Sequence, residues 1–236
     1  MRRRTYLVLT GIALSAGTGD ATADTDDDSA RSDEPELLDI RETLDDEAPL
    51  FDDEAVSFDG ETPAVTDEFT LDEALSVFAF EHEAEDDIAN FIVELEGERD
   101  ELLVNELDDV IGTTATPTPA GEYLMDIDAA GPWEIVVGQP SAPDDEIRTV
   151  PVAVSDEGPA VVGALEVADT VTVRGEHTGE SNFIVHAYDE DDSDIFDGEL
   201  IFNEIGDFEG ETRMDYAGIL WFDVDADGEW ELNIEK

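Results

Sequence analysis

The segment Asp223-Val224-Asp225-Ala226-Asp227-Gly228 repeats the first half of a calcium loop of the EF-hand type. Such a loop needs oxygen ligands at positions 1, 3 and 5, glycine at 6 and a bidentate glutamate at 12. Asp223, Asp225, Asp227 and Gly228 meet the first half, but position 12 is Ile234 and neither flank reads as a helix. A second acidic run, Asp189 to Gly198, could set Asp189, Asp191 and Asp197 around a cation. There position 6 is Asp194 and position 12 is Leu200, so the run is expected to be a solvated loop. Loosely held Ca²⁺ at either cluster is the alternative, and no other cofactor is implied.

Imidazole chemistry is restricted to His82, His177 and His186. His82 and His177 occupy equivalent places in two similar stretches and are expected to lie apart, whereas His177 and His186 fit neighbouring strands. No H-E-x-x-H, G-x-S-x-G or P-loop pattern is present. With 66 acidic residues, no carboxylate pair stands out as a general acid and base. No catalytic residue is assigned, and an enzyme is not expected. A hydrolase ranks third among the readings and would require polar groups converging in one cleft.

The elements that must carry these residues read as strands. A three-residue loop, Ala226-Asp227-Gly228, would pair Val224 with Trp230, Phe222 with Leu232 and Leu220 with Ile234, leaving every partner on one face apolar. Gly228 would then stand in the left-handed region that closes such loops. Ile127 with Trp133 and Met125 with Ile135 obey the same register around Gly131. The reading is therefore a hairpin rather than a calcium loop, with Trp133 and Trp230 in the core. Trp221 falls on the opposite, carboxylate-bearing face. With Leu124 and Val136 it is expected to mark either a contact between two domains or a ligand platform.

Four blocks recur in order. Asn90-Phe91-Ile92-Val93 returns as Asn182-Phe183-Ile184-Val185, and Glu81-His82 as Glu176-His177. The stretch Leu103 to Leu107 returns as Ile201 to Ile205, and Asp126 to Ile135 as Asp223 to Leu232. Such order implies internal duplication. Short alternating runs separated by Gly, Pro and Asp predict an all-β chain of two tandem antiparallel β-sandwich domains, jelly-roll or Ig-like, over 56–140 and 150–236. One turn is expected to differ: Asp108-Asp109 stands in the first copy where Gly206-Asp207 stands in the second.

The chain of 236 residues has 66 Asp and Glu against 10 Lys and Arg, a net charge of −56, yet is 41% hydrophobic. Its only lysine is Lys236. A carboxylate shell of that density opposes the compact state. At ~1 M salt the Debye length falls to roughly 3 Å and the repulsion is screened. High K⁺ or Na⁺ is therefore expected to be needed for folding, as in a halophile. Nucleic acid and anionic membranes are excluded as partners by charge sign. The absence of cysteine removes disulfides, thiolate sites and a lipid-modified cysteine.

Arg2-Arg3-Arg4 followed by the apolar run Tyr6–Ala16 and Ala21-Thr22-Ala23 has the layout of an export signal over 1–23. Arg3-Arg4-Thr5-Tyr6-Leu7 favours the twin-arginine route, with an ordinary Sec signal as the alternative. Residues 24–55 read as an acidic disordered linker. No later stretch is apolar enough for an integral membrane segment.

The recurring Asn-Phe-Ile-Val block, the apolar-Asn-Glu-apolar block and Asp-x-Asp-Ala-x-Gly-x-Trp-Glu resemble an uncharacterised secreted β-sandwich domain family of haloarchaea and actinobacteria, over about 180 residues. The resemblance implies export and fold and carries no site residues. The expected role is a non-catalytic binding or structural module outside the cell or at its envelope, with an envelope protein or a glycan as partner. The alternative is a cation-dependent module that recognises carbohydrate or peptide.

Overall fold

The computed structural model describes residues 38–39, 55–85, 89–143, 146–190 and 198–236, and all are strand, turn or irregular structure, with no helix. The export signal, and the linker apart from Leu38, Asp39 and Ala55, lie outside the described residues. Leu38–Asp39 (β1) pairs with residues 162–163, so this part of the linker is tied to a sheet. Among the described residues no helix is long and apolar enough to cross a membrane.

The N-terminal sandwich comprises β2 (Val56–Gly60), β3 (Ala64–Val65), β4 (Phe69–Leu71), β5 (Ala74–His82), β6 (Asn90–Glu96), β7 (Glu101–Leu107), β8 (Val110–Thr118), β9 (Gly121–Ala129) and β10 (Trp133–Gly138). One sheet runs β2-β10-β5-β8; the other runs β3-β9-β6-β7, with β4 also on β9. After β11 (Arg148–Thr149), the C-terminal sandwich comprises β12 (Val152–Glu157), β13 (Ala160–Val167), β14 (Val171–Thr178), β15 (Asn182–Asp189), β16 (Glu199–Ile205), β17 (Phe208–Met214), β18 (Gly218–Ala226) and β19 (Glu229–Glu235). Its sheets run β12-β19-β14-β17 and β13-β18-β15-β16. With β3 and β4, which both pair with β9, counted as one strand, both halves have the jelly-roll strand order, in which first pairs with last and third lies beside last.

Period-two alternation selects the cores. Phe78 and Phe80 of β5, Phe91, Val93 and Leu95 of β6, Met125 and Ile127 of β9, and Trp133 and Ile135 of β10 fill the first. Val173, Phe183, Val185, Phe222, Val224, Trp230 and Leu232 fill the second. The Trp133 indole donates to Thr62 O (3.1 Å) and the Trp230 indole to Gly158 O (2.8 Å), so both tryptophans anchor the connection after the first strand.

The hairpin register is overturned. β18 pairs with β13 and β15, whereas β19 pairs with β12 and β14, so Ala226-Asp227-Gly228 carries the chain from one sheet to the other. β9 and β10 are divided in the same way. Residues expected to lie side by side on one sheet instead face each other across the core. Gly228 is not in the left-handed region; it is required because a Cβ there would collide with the Thr178 carbonyl oxygen. Gly131 does have positive φ, +138°.

The turn expected to differ is shared. Asp108 (φ 67°) and Gly206 (φ 80°) both adopt the left-handed conformation, which Asp tolerates better than most residues. Each turn is held by its buried histidine: His82 Nδ1 lies 2.9 Å from Asp108 O, and His177 Nδ1 2.9 Å from Gly206 O. A carbonyl only accepts, so Nδ1 carries the proton in both rings. The rings stack on Phe91 and Phe183.

Candidate functional site

The two sandwiches meet through different surfaces. Leu75 and Val77 of β5 and Ala115 of β8, on the outer face of one N-terminal sheet, pack against Val161, Ala164 and Trp221 on the outer face of a C-terminal sheet. Trp221 is 0% exposed, and its indole donates to Glu190 Oε2 at 2.9 Å. Backbone and hydroxyl groups of the edge strand β8 complete the joint. Thr113 N–H donates to Pro159 O (3.1 Å), and Val161 N–H donates to Thr113 Oγ1 (2.6 Å).

Beside this joint lies a cleft of about 620 Å³. Its N-terminal wall is β7, all seven residues of it, with Thr113 to Thr116 of β8. Its C-terminal wall is the outward face of β15 and β18: Asn182, Ile184, His186 and Tyr188 alongside Asp223 and Asp225, with Asp227 at the end. Register sets His186 opposite Asp223, Ile184 opposite Asp225 and Tyr188 opposite Trp221. Alternation dictates this wall, because Phe183, Val185, Phe222 and Val224 point into the core.

The three aspartates of the half calcium loop have three different jobs. Asp223 bridges the sandwiches: Ala115 N–H donates to its Oδ1 (3.2 Å) and the Thr114 hydroxyl to its Oδ2 (3.5 Å). Asp225 faces the cleft two residues further on. Asp227 turns away to cap a loop, accepting from the N–H groups of Glu180 and Ser181 at 2.9 Å each, with His177 Nε2 3.3 Å from its Oδ1. Among the described residues no group of three or more His, Asp or Glu side chains is arranged to hold a metal. Asp189 ends β15 opposite Leu220; Asp191 and Asp197 lie outside the described residues.

Burial dominates the electrostatics. It pushes the Asp223 carboxyl up to about 8, with further elevation by Asp225 and partial relief from the Ala115 N–H. Burial raises Asp225, aided by Asp227, and raises Glu106, aided by Asp225 and Asp227. It lowers His186 and raises Tyr188. Near neutral pH the floor of the cleft is therefore less charged than its composition suggests, with a protonated Asp223 beside a neutral His186.

Other expected placements fare differently. Trp221 lies in the joint, whereas Leu124 and Val136 are half-buried and outside that cluster. Leu124 is the counterpart of Trp221, but its sheet is the one in the N-terminal sandwich that does not dock. His177 and His186 are not on neighbouring strands: β14 and β15 belong to opposite sheets, and only His186 reaches the cleft. Glu106, Asn105 and Tyr188 of the cleft were not legible as site residues. The one signal available was the recurrence of the block that holds Asn105 and Glu106.

No protein-family model and no curated protein matches the sequence. Among solved structures, the CBM22-1–CBM22-2 tandem of Paenibacillus barcinonensis Xyn10C matches over 88% of this chain and 98% of that one, at 8% identity and a TM-score of 0.23. A mutant of Bacillus subtilis oxalate decarboxylase OxdC matches over 85% and 72% respectively, at 10% identity and a TM-score of 0.22. Superpositions this loose carry no argument about what the chain does.

Proposed function

We propose that this chain is a non-catalytic binding module, exported and working outside a halophilic cell or at its envelope, whose binding surface is the cleft between the sandwiches. The observation that carries the reading is the composite wall. Glu106 comes from one sandwich and Asp225 from the other, in a single groove. Carboxylates, amides and an imidazole there suit hydroxyl-rich or cationic ligands and repel anions.

A hydrolase is the second reading, because a carboxyl group raised to about 8 in a cleft resembles a general acid. Against it, both Asp223 oxygens already accept hydrogen bonds across the joint. The test is calorimetric titration of soluble glycans and short peptides into the protein in ~1 M KCl, repeated with Glu106→Gln/Asp225→Asn. Binding of one ligand class, weakened several-fold in a variant whose melting temperature is no lower than the parent's, is expected. No binding, or binding indifferent to the variant, would sink the reading, and turnover lost in Asp223→Asn would replace it with the hydrolase.

A further inference from the structure

Resting on that reading of the cleft, we infer that its ligand is an extended cationic polypeptide segment that adds to β7 as a further strand. β7 is the edge of its sheet, pairing with β6 on one side and with no described strand on the other. Glu101 to Leu107 all line the cleft, so the edge strand runs along the groove for its whole length.

Unpaired N–H and C=O groups along such an edge form a template for strand addition. Leu102 and Leu107, 53% and 58% exposed, supply apolar contacts beside that edge. Glu106 and Asp225, whose ionised forms an approaching cation favours, supply the opposite sign for basic side chains on the alternate positions of an added strand. Partly enclosed pairs of this kind survive salt better than surface pairs. The chain's own segment 24–55 is acidic and is opposed by the same charges.

The C-terminal sandwich contains a built-in comparison. β16 is likewise an edge strand with exposed Leu200 and Ile205 at the matching positions, yet it lines no part of this cleft.

The experiment titrates an end-capped peptide of alternating lysine and valine into the full chain in ~1 M KCl, with hydrogen exchange recorded on the complex. Two further peptides carry N-methyl groups on alternate residues, one in each frame. Successive N–H groups of a strand point to opposite sides. One frame is therefore expected to lose binding at least about tenfold and the other to keep it. Amides 101–107 should gain protection while 199–205 do not.

Equal binding by both frames, or protection elsewhere, overturns strand addition. If Glu106→Gln/Asp225→Asn still weakens that binding, the cleft reading survives. A neutral glycan that binds where the peptide does not, with sensitivity to the same variant, has the same meaning. No variant-sensitive ligand of either class removes both.

Discussion

Asp223 shows how one residue can look like a metal ligand and act as a structural acceptor. Its spacing to Asp225 and Asp227 is that of a calcium loop, but alternation along β18 and the turn after Ala226 send the third carboxylate elsewhere. Its raised pKa has a consequence with a definite sign. The stability it contributes is complete below the ordinary value of 3.8 and is lost as pH rises through about 8. Asp225 and Glu106, also raised, act in the same direction. Asp223→Asn keeps an acceptor for Ala115 N–H and cannot ionise. Above pH 8 it should be more stable than the parent by at least about 1.4 kcal/mol, the value of one pKa unit. Its unfolding free energy should also fall less steeply from pH 5 to 9. Urea unfolding across pH at fixed KCl measures both; a variant weaker than the parent at pH 9 contradicts the assignment.

The strands explain why the docking runs one way. The N-terminal sandwich offers Leu75, Val77, Ala79 and Ala115; the equivalent register in the C-terminal sandwich holds Thr170, Thr172, Arg174 and Arg213. Arg174 there is engaged by Glu211 (3.2 Å) and Glu235 (2.8 Å) on an exposed face. On the receiving side Tyr188, Trp221 and Asp223 stand where the N-terminal sandwich has Glu96, Leu124 and Asp126. The contact is thus heterologous, each sandwich contributing a different surface. Trp221 is its anchor. Trp221→Ala should cost about 3–5 kcal/mol, read as a lower midpoint in thermal melts. A loss below about 1 kcal/mol would mean that the joint rests on its hydrogen bonds instead.

At the scale of the molecule, a charge of −56 governs stability. Cross-strand acid pairs such as Glu134 with Asp59 and Glu81 with Glu134 are repulsive in dilute buffer. The melting temperature should climb with KCl toward ~1 M, where screening is nearly complete. Millimolar CaCl₂ added at high KCl should leave it within a degree or so, because the three loop aspartates do not converge. A calcium-specific rise that disappears in Asp225→Asn would restore a metal site.

Which residues face inward was decided by the sequence alone. The alternation Leu220, Phe222, Val224 and Trp230, Leu232, Ile234 is a local property, and every one of these side chains is buried. The alternating runs likewise predicted an all-β chain, and every described residue is strand, turn or irregular structure. What period-two alternation cannot carry is the partner. A hairpin and a crossing between facing sheets both bring Val224 toward Trp230, and only contacts distant in sequence separate the two. The cleft belongs to that second kind of information. Glu106 and Asp225 are joined by no local pattern; they share a groove because Trp221 finds its pocket between two sandwiches, and that choice is made by packing in three dimensions.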